Sequence, residues 1–182
     1  MGFVIDDGTG VNGSVKVSDN RLWTDTVVKT NDQEINEQSG KVWSLPFEGI
    51  NPAATDDYIF YCKNTGNADL AISDFRISAD TATTQIGFYG VTGTAASGST
   101  LTPVSRTIGS SAIPTAIIET GTDITGLTST GALFFMQLAV VDTMYHLSTS
   151  SKIIIPKGRA IALSVETATA NITGVISLYE IT

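Results

Sequence analysis

This chain is short of charge and of cysteine, and both shortages limit what it can be. Only 15% of its 182 residues are charged while 42% are hydrophobic, which argues against global disorder, because disordered chains combine high charge with low hydrophobicity. The one cysteine, Cys62, has no internal partner for a disulfide, so burial must stabilise the fold. Since Cys62 ends the apolar run 58–62, we expect a packed side chain, with a reactive thiol as the alternative.

Membrane-length apolar runs and basic clusters are also missing. The apolar stretch 132–136 is far below the roughly 20 residues that span a bilayer. The first residues show no basic segment followed by an apolar run, so we expect neither a membrane segment nor a secretory leader. The net charge is −8, and lysines and arginines are scattered from Lys16 to Arg159. We therefore expect no nucleic-acid partner, because binding to phosphates needs a basic patch.

Long amphipathic helices are absent from the pattern, and strand signals dominate it. The best helical candidate, 31–39, carries one apolar residue, so a helix there would have no face to bury. Elsewhere β-branched and aromatic residues recur in short runs separated by Gly, Asn, Asp, Ser and Pro. This spacing predicts an all-β sandwich or barrel. The predicted strands are 42–47, 58–63, 70–77, 85–91, 101–107, 116–119, 133–141, 152–155, 160–165 and 172–179.

Residues 1–40 differ from the rest and predict an N-terminal arm ahead of a β-sandwich body at 41–182. The arm is polar and Gly-rich and cannot close a core alone. Asp19-Asn20 suits a tight turn, which predicts a small hairpin around Ser18–Arg21. Because an isolated hairpin is marginal in water, it should dock on the body or on a neighbouring subunit. The residues expected to anchor the arm or to lie between subunits are Val15, Val17, Leu22, Trp23, Trp43 and Phe47.

Two kinds of strand pattern have consequences for packing. In 160–166 the apolar side chains share one face while small or charged side chains share the other, which predicts one buried and one solvated face. The runs 58–62 and 133–141 instead carry apolar residues on both faces. One sandwich core cannot hide both faces, so these runs imply a second buried surface and favour an oligomer.

Local breaks in the pattern predict a bulge and two loops. In 70–77 the apolar phase flips at Ser73-Asp74, so a bulge there would return the following apolar residues to the buried face. The stretches Gly90–Gly98 and Gly121–Gly131 are rich in Gly and Thr and predict flexible loops. Loops at the ends of a sandwich are places where contacts can be built.

None of the catalytic or ligand-binding motifs fits its context. Gly8–Gly13 has the GxGxxG spacing of dinucleotide sites, but no helix follows it to hold the phosphates. His146, the only histidine, has no triad context, and the chain has no G-x-S-x-G elbow. Asp56-Asp57 lacks the spaced ligands of a calcium loop and suits a turn before a strand, with calcium as the alternative. We expect no enzyme, cofactor or metal.

The aromatic side chains recur at strand spacing. Aromatic residues in such positions usually pack in the core, and no basic residues are interleaved with these. Core packing is therefore the favoured interpretation, with a stacking platform for sugars or bases as the alternative. The residues concerned are Tyr58, Tyr61, Phe88, Tyr89, Phe134 and Phe135.

Four segments, 15–22, 58–70, 101–104 and 155–180, resemble virion structural proteins of tailed bacteriophages of the capsid decoration, or cement, type. Their order is similar as well. The resemblance implies a jelly-roll-like antiparallel β-sandwich with an extended N-terminal arm, on the outer surface of a virion capsid. It also implies assembly at symmetry axes, as a homotrimer or alternatively a homodimer, with the major capsid protein as partner and the arm reaching along the shell.

The remaining features agree with that placement, and one alternative function stays open. The acidic net charge suits a surface that faces solvent and not packaged DNA. The unpaired Cys62 suits assembly in the host cytoplasm. The alternative is a phage tail or fibre module that binds a host receptor or surface glycan through the predicted loops at 90–98 and 121–131 and the aromatic strands.

Overall fold

The computed structural model describes residues 17–18, 21–22, 40–166 and 170–181. The chain divides into two compact units, Met1–Thr30 and Asn31–Thr182, and each unit is described by itself. The predicted boundary between arm and body, at residue 40, stays a prediction because residues 23–39 lie outside the described ones.

The described part of the first unit is a small hairpin. Strand β1 (Val17–Ser18) pairs antiparallel with β2 (Arg21–Leu22), and Val17 lies opposite Leu22. Only Asp19 and Asn20 separate the two strands, the spacing of a two-residue hairpin turn. The hairpin therefore lies at the turn that the sequence predicts.

The described part of the second unit is a sandwich of two antiparallel sheets. The six-stranded sheet has the order β10-β6-β12-β4-β9-β7, and the five-stranded sheet has the order β11-β5-β13-β3-β8. The predicted β-sandwich is confirmed. The strands are β3 (Val42–Ile50), β4 (Asp57–Asn64), β5 (Asp69–Ala79), β6 (Thr84–Ala96), β7 (Ser99–Thr100), β8 (Val104–Ser105), β9 (Ala116–Thr120), β10 (Thr125–Leu138), β11 (Tyr145–Ile155), β12 (Ala160–Val165) and β13 (Ile172–Ile181).

The strands pair as one long ribbon folded back on itself. The first four strands of the body pair with the last four in reverse order: β3 with β13, β4 with β12, β5 with β11 and β6 with β10. Contacts of β13 with β5 and of β12 with β6 join the turns of the ribbon into sheets. The short strands β7 and β8 and strand β9 lie between the two halves of the ribbon along the chain.

Aromatic rings join the two sheets at the centre of the core. Phe75 of β5 and Phe88 of β6 belong to different sheets, and their ring centroids lie 4.3 Å apart. Phe134 of β10 stacks on Phe88 with centroids 4.5 Å apart. Phe75 and Phe88 are fully buried. Because large-to-small changes at such sites remove both burial and close packing, we expect these rings to contribute strongly to the stability of the sandwich.

The predicted bulge in β5 is confirmed. Along β13, Ser177 pairs with Asp74 and Leu178 pairs with Ile72, so the register skips Ser73. Ile72 and Phe75, on the two sides of the bulge, are both fully buried. The extra residue thus restores the inward direction of the apolar side chains, as expected from the phase of the sequence.

The two predicted glycine-rich loops are wrong. Strand β6 continues to Ala96 and β10 begins at Thr125, and the two pair over most of the stretches expected to be loops. A Cβ on Gly93 would lie 2.2 Å from the carbonyl oxygen of Gly126. Glycine is therefore needed because two paired backbones approach closely at a register shift, and not because the chain is a loop.

The predicted solvated face of β12 is also wrong. All six residues of this strand are buried. On the face opposite the main core, Ala162 is fully buried in a second apolar cluster with Tyr61, Val91 and Ile124. The small side chains of β12 leave room for tyrosines of the neighbouring strands, so the second buried surface implied by the sequence is partly supplied by this chain itself.

Two predicted strands end differently from expectation. The run predicted as a strand at 101–107 contains only the two-residue strand β8 (Val104–Ser105), and β7 (Ser99–Thr100) ends just before it. Strand β10 stops at Leu138, and Val140 and Val141 lie exposed in the turn that follows. The apolar side chains of that turn are therefore not part of the sandwich core.

Candidate intersubunit surface

Large apolar side chains are exposed in two separate stretches of the described chain. We name the first the β10–β11 edge; its six exposed members leave 41–56% of their surface open and are Leu133, Phe135, Val140, Val141, Met144 and Ile154. We name the second the 104–117 segment; its four members leave 44–101% open and are Val104, Ile108, Ile113 and Ile117. Scattered exposed apolar residues are ordinary, but clusters of them mark contact surfaces.

The two stretches lie on opposite sides of the sandwich. Strands β10 and β11 are the first strands of their sheets, and β7 and β8 are the last. Leu133 of β10 and Ile154 of β11 line one groove, so the two first strands lie side by side. The 104–117 segment begins with β8 at the other side, where Val104 pairs with Ser44 of β3.

Strand β10 presents an unusual edge. Within the described residues it pairs with no strand except β6, so its other side is a sheet edge. The chain has no charged residue between Asp123 and Asp142 and no proline in β10. Exposed edge strands normally carry lysine, proline or bulges that prevent pairing with another chain. Bulges interrupt the first part of β10, but from Phe134 to Leu138 the pairing is regular.

A shallow apolar groove separates the two edge strands. Its volume is about 210 Å³, and the lining includes Leu133 of β10, Ile154 of β11 and Pro156 in the following turn. Arg159 is the one charged residue in the lining. A groove of this composition suits an apolar side chain from another segment better than a polar ligand.

The 104–117 segment is held to the core by hydrogen bonds. The indole Nε1 of Trp43 donates to the carbonyl oxygen of Ala112 at 2.8 Å. The backbone N–H of Arg106 donates to the carbonyl oxygen of Val42 at 2.9 Å. These bonds fix the segment on both sides of Ile108, so its exposed isoleucines are presented from an anchored backbone.

An aromatic row lies on the outer face of the six-stranded sheet. The ring centroids of Tyr58 and Tyr89 are 6.0 Å apart, those of Tyr89 and Phe135 are 5.9 Å apart, and both pairs are edge-on. The hydroxyl of Tyr89 donates to Glu166 at 3.0 Å. Burial, followed by this hydrogen bond, raises the pKa of Tyr89 to about 12. Successive rings are nearly perpendicular, unlike a flat platform on which a sugar ring stacks.

The aromatic residues therefore divide between core and surface. Tyr61 and Phe88 are buried, and Phe134 packs against the main core, which agrees with the favoured interpretation. Phe135 is 51% exposed and belongs to the β10–β11 edge. The sequence pattern that indicates this surface is the run 133–141, which carries apolar residues on both faces of the predicted strand.

A row of polar side chains crosses the outer face of the five-stranded sheet. Asp74 of β5 accepts from Ser177 Oγ at 3.3 Å, and Arg106 Nη2 donates to Ser177 Oγ at 2.6 Å. His146 Nε2 lies in close contact with Asp74 Oδ1. The order is serine, aspartate, histidine. A catalytic triad needs the imidazole between the other two.

The other candidate site residues of the sequence either have structural roles or lie outside the described residues. Cys62 is fully buried, and burial raises the pKa of its thiol to about 12, so its predicted packing role is confirmed. Asp57 accepts from the backbone N–H of Ala54 at 2.6 Å, and Asp56 has a φ of 67°, which is the expected turn chemistry. Gly8–Gly13 lies outside the described residues. Among the described residues no three His, Cys, Asp or Glu side chains group as metal ligands.

The predicted interface residues are not brought together by the described structure. Trp43 and Phe47 are 1% and 5% exposed and lie in the main core. Core packing accounts for both side chains, and their assignment to an interface stays a prediction. Val17 and Leu22 are backbone pairing partners in the β1–β2 hairpin, while Val15 and Trp23 lie outside the described residues. Sequence reasoning missed Ile108 and Ile113, whose only signal was a stretch without charge from Thr107 to Ile118.

Comparison with known proteins adds no relative: no family model, curated protein or solved structure matches the chain. Among the described residues, no helix has the length and apolar character to cross a bilayer.

Proposed function

We propose that this protein is a non-enzymatic structural component of a phage virion, a capsid decoration protein that stabilises the shell by bridging capsomers as an oligomer. The single observation that supports the oligomeric part of this proposal is the pair of exposed apolar stretches on opposite sides of one sandwich, while the capsid partner rests on the resemblance of the four sequence segments. Such surfaces suit a protein that works by contact. The major capsid protein is the proposed partner at the capsid surface.

The strand order supports a jelly-roll form of the sandwich. The strands of the body pair in reverse order, from β3 with β13 to β6 with β10. A ribbon that is paired in this way and rolled into two sheets has the arrangement of a double Greek key. Viral capsid and lectin domains use this arrangement. The fold alone does not assign the function, because one architecture carries many functions.

The polar surface agrees with a place outside the shell. The chain has a net charge of −8, which favours solvent over packaged DNA. The polar row around Asp74 lacks the order of a catalytic triad, and Cys62 is buried with a raised pKa, so neither group offers a nucleophile. The proposal therefore asks only for contact surfaces.

Binding to particles tests the proposal. Purified protein is added to phage heads that lack it, and bound protein is measured by pelleting and by gel densitometry. We expect saturable binding with a fixed number of copies per head, together with greater resistance of the heads to heat and low salt. Heads that bind no protein, or whose resistance is unchanged at saturation, contradict the proposal.

The alternative of a receptor- or glycan-binding tail or fibre module retains one of its premises. The stretches expected to be recognition loops pair as strands β6 and β10, but the aromatic row of Tyr58, Tyr89 and Phe135 remains on the outer face. Gold-labelled antibody in electron micrographs separates the two functions, because the alternative predicts label at the tail and the proposal predicts label over the head.

A further inference from the structure

We infer that copies of this chain associate head to tail, with the β10–β11 edge of one copy covering the 104–117 segment of the next. This inference deepens the proposed function by naming the surfaces of self-association. It rests on the oligomeric part of that proposal and not on binding to a capsid.

The two surfaces match in size. Phe135 leaves 51% of its surface open, and six large apolar side chains exposed to this degree present an area on the order of 400 Å². The four members of the 104–117 segment are more exposed individually, up to 101% at Ile108, so the two apolar areas are similar. Because roughly 57% of an interface is apolar, this predicts a contact of roughly 700 Å² per partner, close to the roughly 800 Å² of a standard stable interface.

The two surfaces also match in chemistry. The chain carries no charge from residue 124 to 141 and none from residue 107 to 118. Depletion of charge at the centre is what distinguishes an interface from the rest of a protein surface. The charged residues near the first surface are Asp142, Lys152 and Arg159, which lines the groove, and Arg106 is the charged residue of the second segment.

The positions of the surfaces decide the kind of assembly. A twofold dimer needs one self-complementary patch, whereas two different patches that cover each other generate a ring or a filament. Here the patches lie at opposite ends of the strand orders. A copy that used only one patch would leave the other exposed. A closed ring covers every patch.

Paired variants test the inference. Leu133→Arg/Phe135→Arg alters the first surface and Ile108→Arg/Ile113→Arg alters the second, while Asn51→Arg/Thr55→Arg adds the same charge at exposed positions of the loop between β3 and β4. Light scattering after gel filtration gives the mass of each. We expect the control to keep the mass of the unaltered oligomer and each surface variant alone to be a monomer.

Mixing the two surface variants gives the decisive result. Each retains the surface that the other has lost, so head-to-tail association predicts a one-to-one complex with twice the mass of one chain and nothing larger. If either surface variant alone keeps the unaltered mass, or if the mixture stays monomeric, the inference is overturned. Far-ultraviolet circular dichroism checks folding, and the milder pair Phe135→Gln and Ile108→Gln replaces any variant that does not fold.

The outcome is separable from that of the proposed function. A monomer that still saturates phage heads overturns the head-to-tail inference and leaves decoration standing. A head-to-tail oligomer that does not bind phage heads supports the head-to-tail inference and contradicts the proposed function.

Discussion

Phe75 and Phe88 come from different sheets and meet with ring centroids 4.3 Å apart, and this contact joins the two layers of the sandwich at the centre of the core. Phe134 adds a third ring 4.5 Å from Phe88. Phe135, the next residue along β10, points the other way and is 51% exposed. Two adjacent phenylalanines thus serve the core and the surface.

That division predicts opposite results for two truncations. Phe88→Ala should lower the free energy of unfolding by about 3–5 kcal/mol, because it leaves a cavity between the sheets. Phe135→Ala should cost less than about 1 kcal/mol in a monomer at low concentration. Denaturant unfolding measures both, and a Phe135→Ala variant as unstable as Phe88→Ala would contradict the assignment of Phe135 to the surface.

The bulge in β5 predicts where a residue can be deleted. Removing Ser73 should leave a regular strand with Ile72 and Phe75 both still facing the core, because the register skips Ser73. Removing Ala162 from the regular strand β12 should turn Leu163 to the outer face and prevent folding. Soluble yield and a cooperative thermal transition distinguish the two deletions. Equal damage from both would show that the bulge is not what sets the phase of β5.

Burial of Cys62 predicts an inert thiol and a pH effect. Burial raises the pKa of its thiol from the ordinary 9.0 to about 12, so the folded state holds a proton that the unfolded state loses first. The contribution of Cys62 to stability is therefore intact below about pH 9 and is lost as the pH rises toward 12. Urea unfolding of the wild type and of Cys62→Ala across this pH range measures the contribution of Cys62. Tyrosines titrate in both proteins, so their effect cancels in the difference between the two free energies of unfolding.

A thiol reagent gives an independent check on the same residue. At pH 8 the native protein should react with a disulfide reagent only after denaturant is added, and then with one thiol per chain, since Cys62 is the one cysteine. Fast labelling of the native protein would place the thiol at a surface.

The hydrogen bond from Trp43 to Ala112 predicts that a core residue controls the 104–117 segment. Trp43→Phe removes the donor but keeps a ring in the core, and a local loss of about 1 kcal/mol should speed trypsin cleavage after Arg106 by about fivefold. Cleavage after Lys157, in the turn between β11 and β12, serves as the internal control. Equal acceleration at both sites would indicate general unfolding instead.

The sequence predicts most strands and the sandwich because short runs of β-branched and aromatic residues mark strands, but the period-two pattern of β12 wrongly predicted a solvated face. The phase flip at Ser73-Asp74 is a local signal, and it predicts the bulge correctly. The stretch from Gly90 to Ala96 was wrongly predicted to be a loop, because glycine is common both in loops and where two backbones approach closely. The structure shows that Gly93 lies against Gly126. Composition alone cannot separate these two causes.

The candidate surface could be predicted in part. The apolar residues on both faces of 133–141 indicate a second buried surface, and Leu133 and Phe135 do lie exposed. Other apolar side chains of this kind, such as Tyr61, are covered by the chain itself. Which of these side chains remain open depends on the neighbours across the sheet, and a linear pattern does not contain that information.

The mass of the full-length protein in solution tests the central claim most directly. Multi-angle light scattering over a wide range of concentrations should give a closed oligomer, a trimer in the favoured form, whose mass stops rising once the ring is complete. A protein that stays monomeric at the highest concentrations would contradict the account, since its two apolar surfaces would then need no cover from another copy.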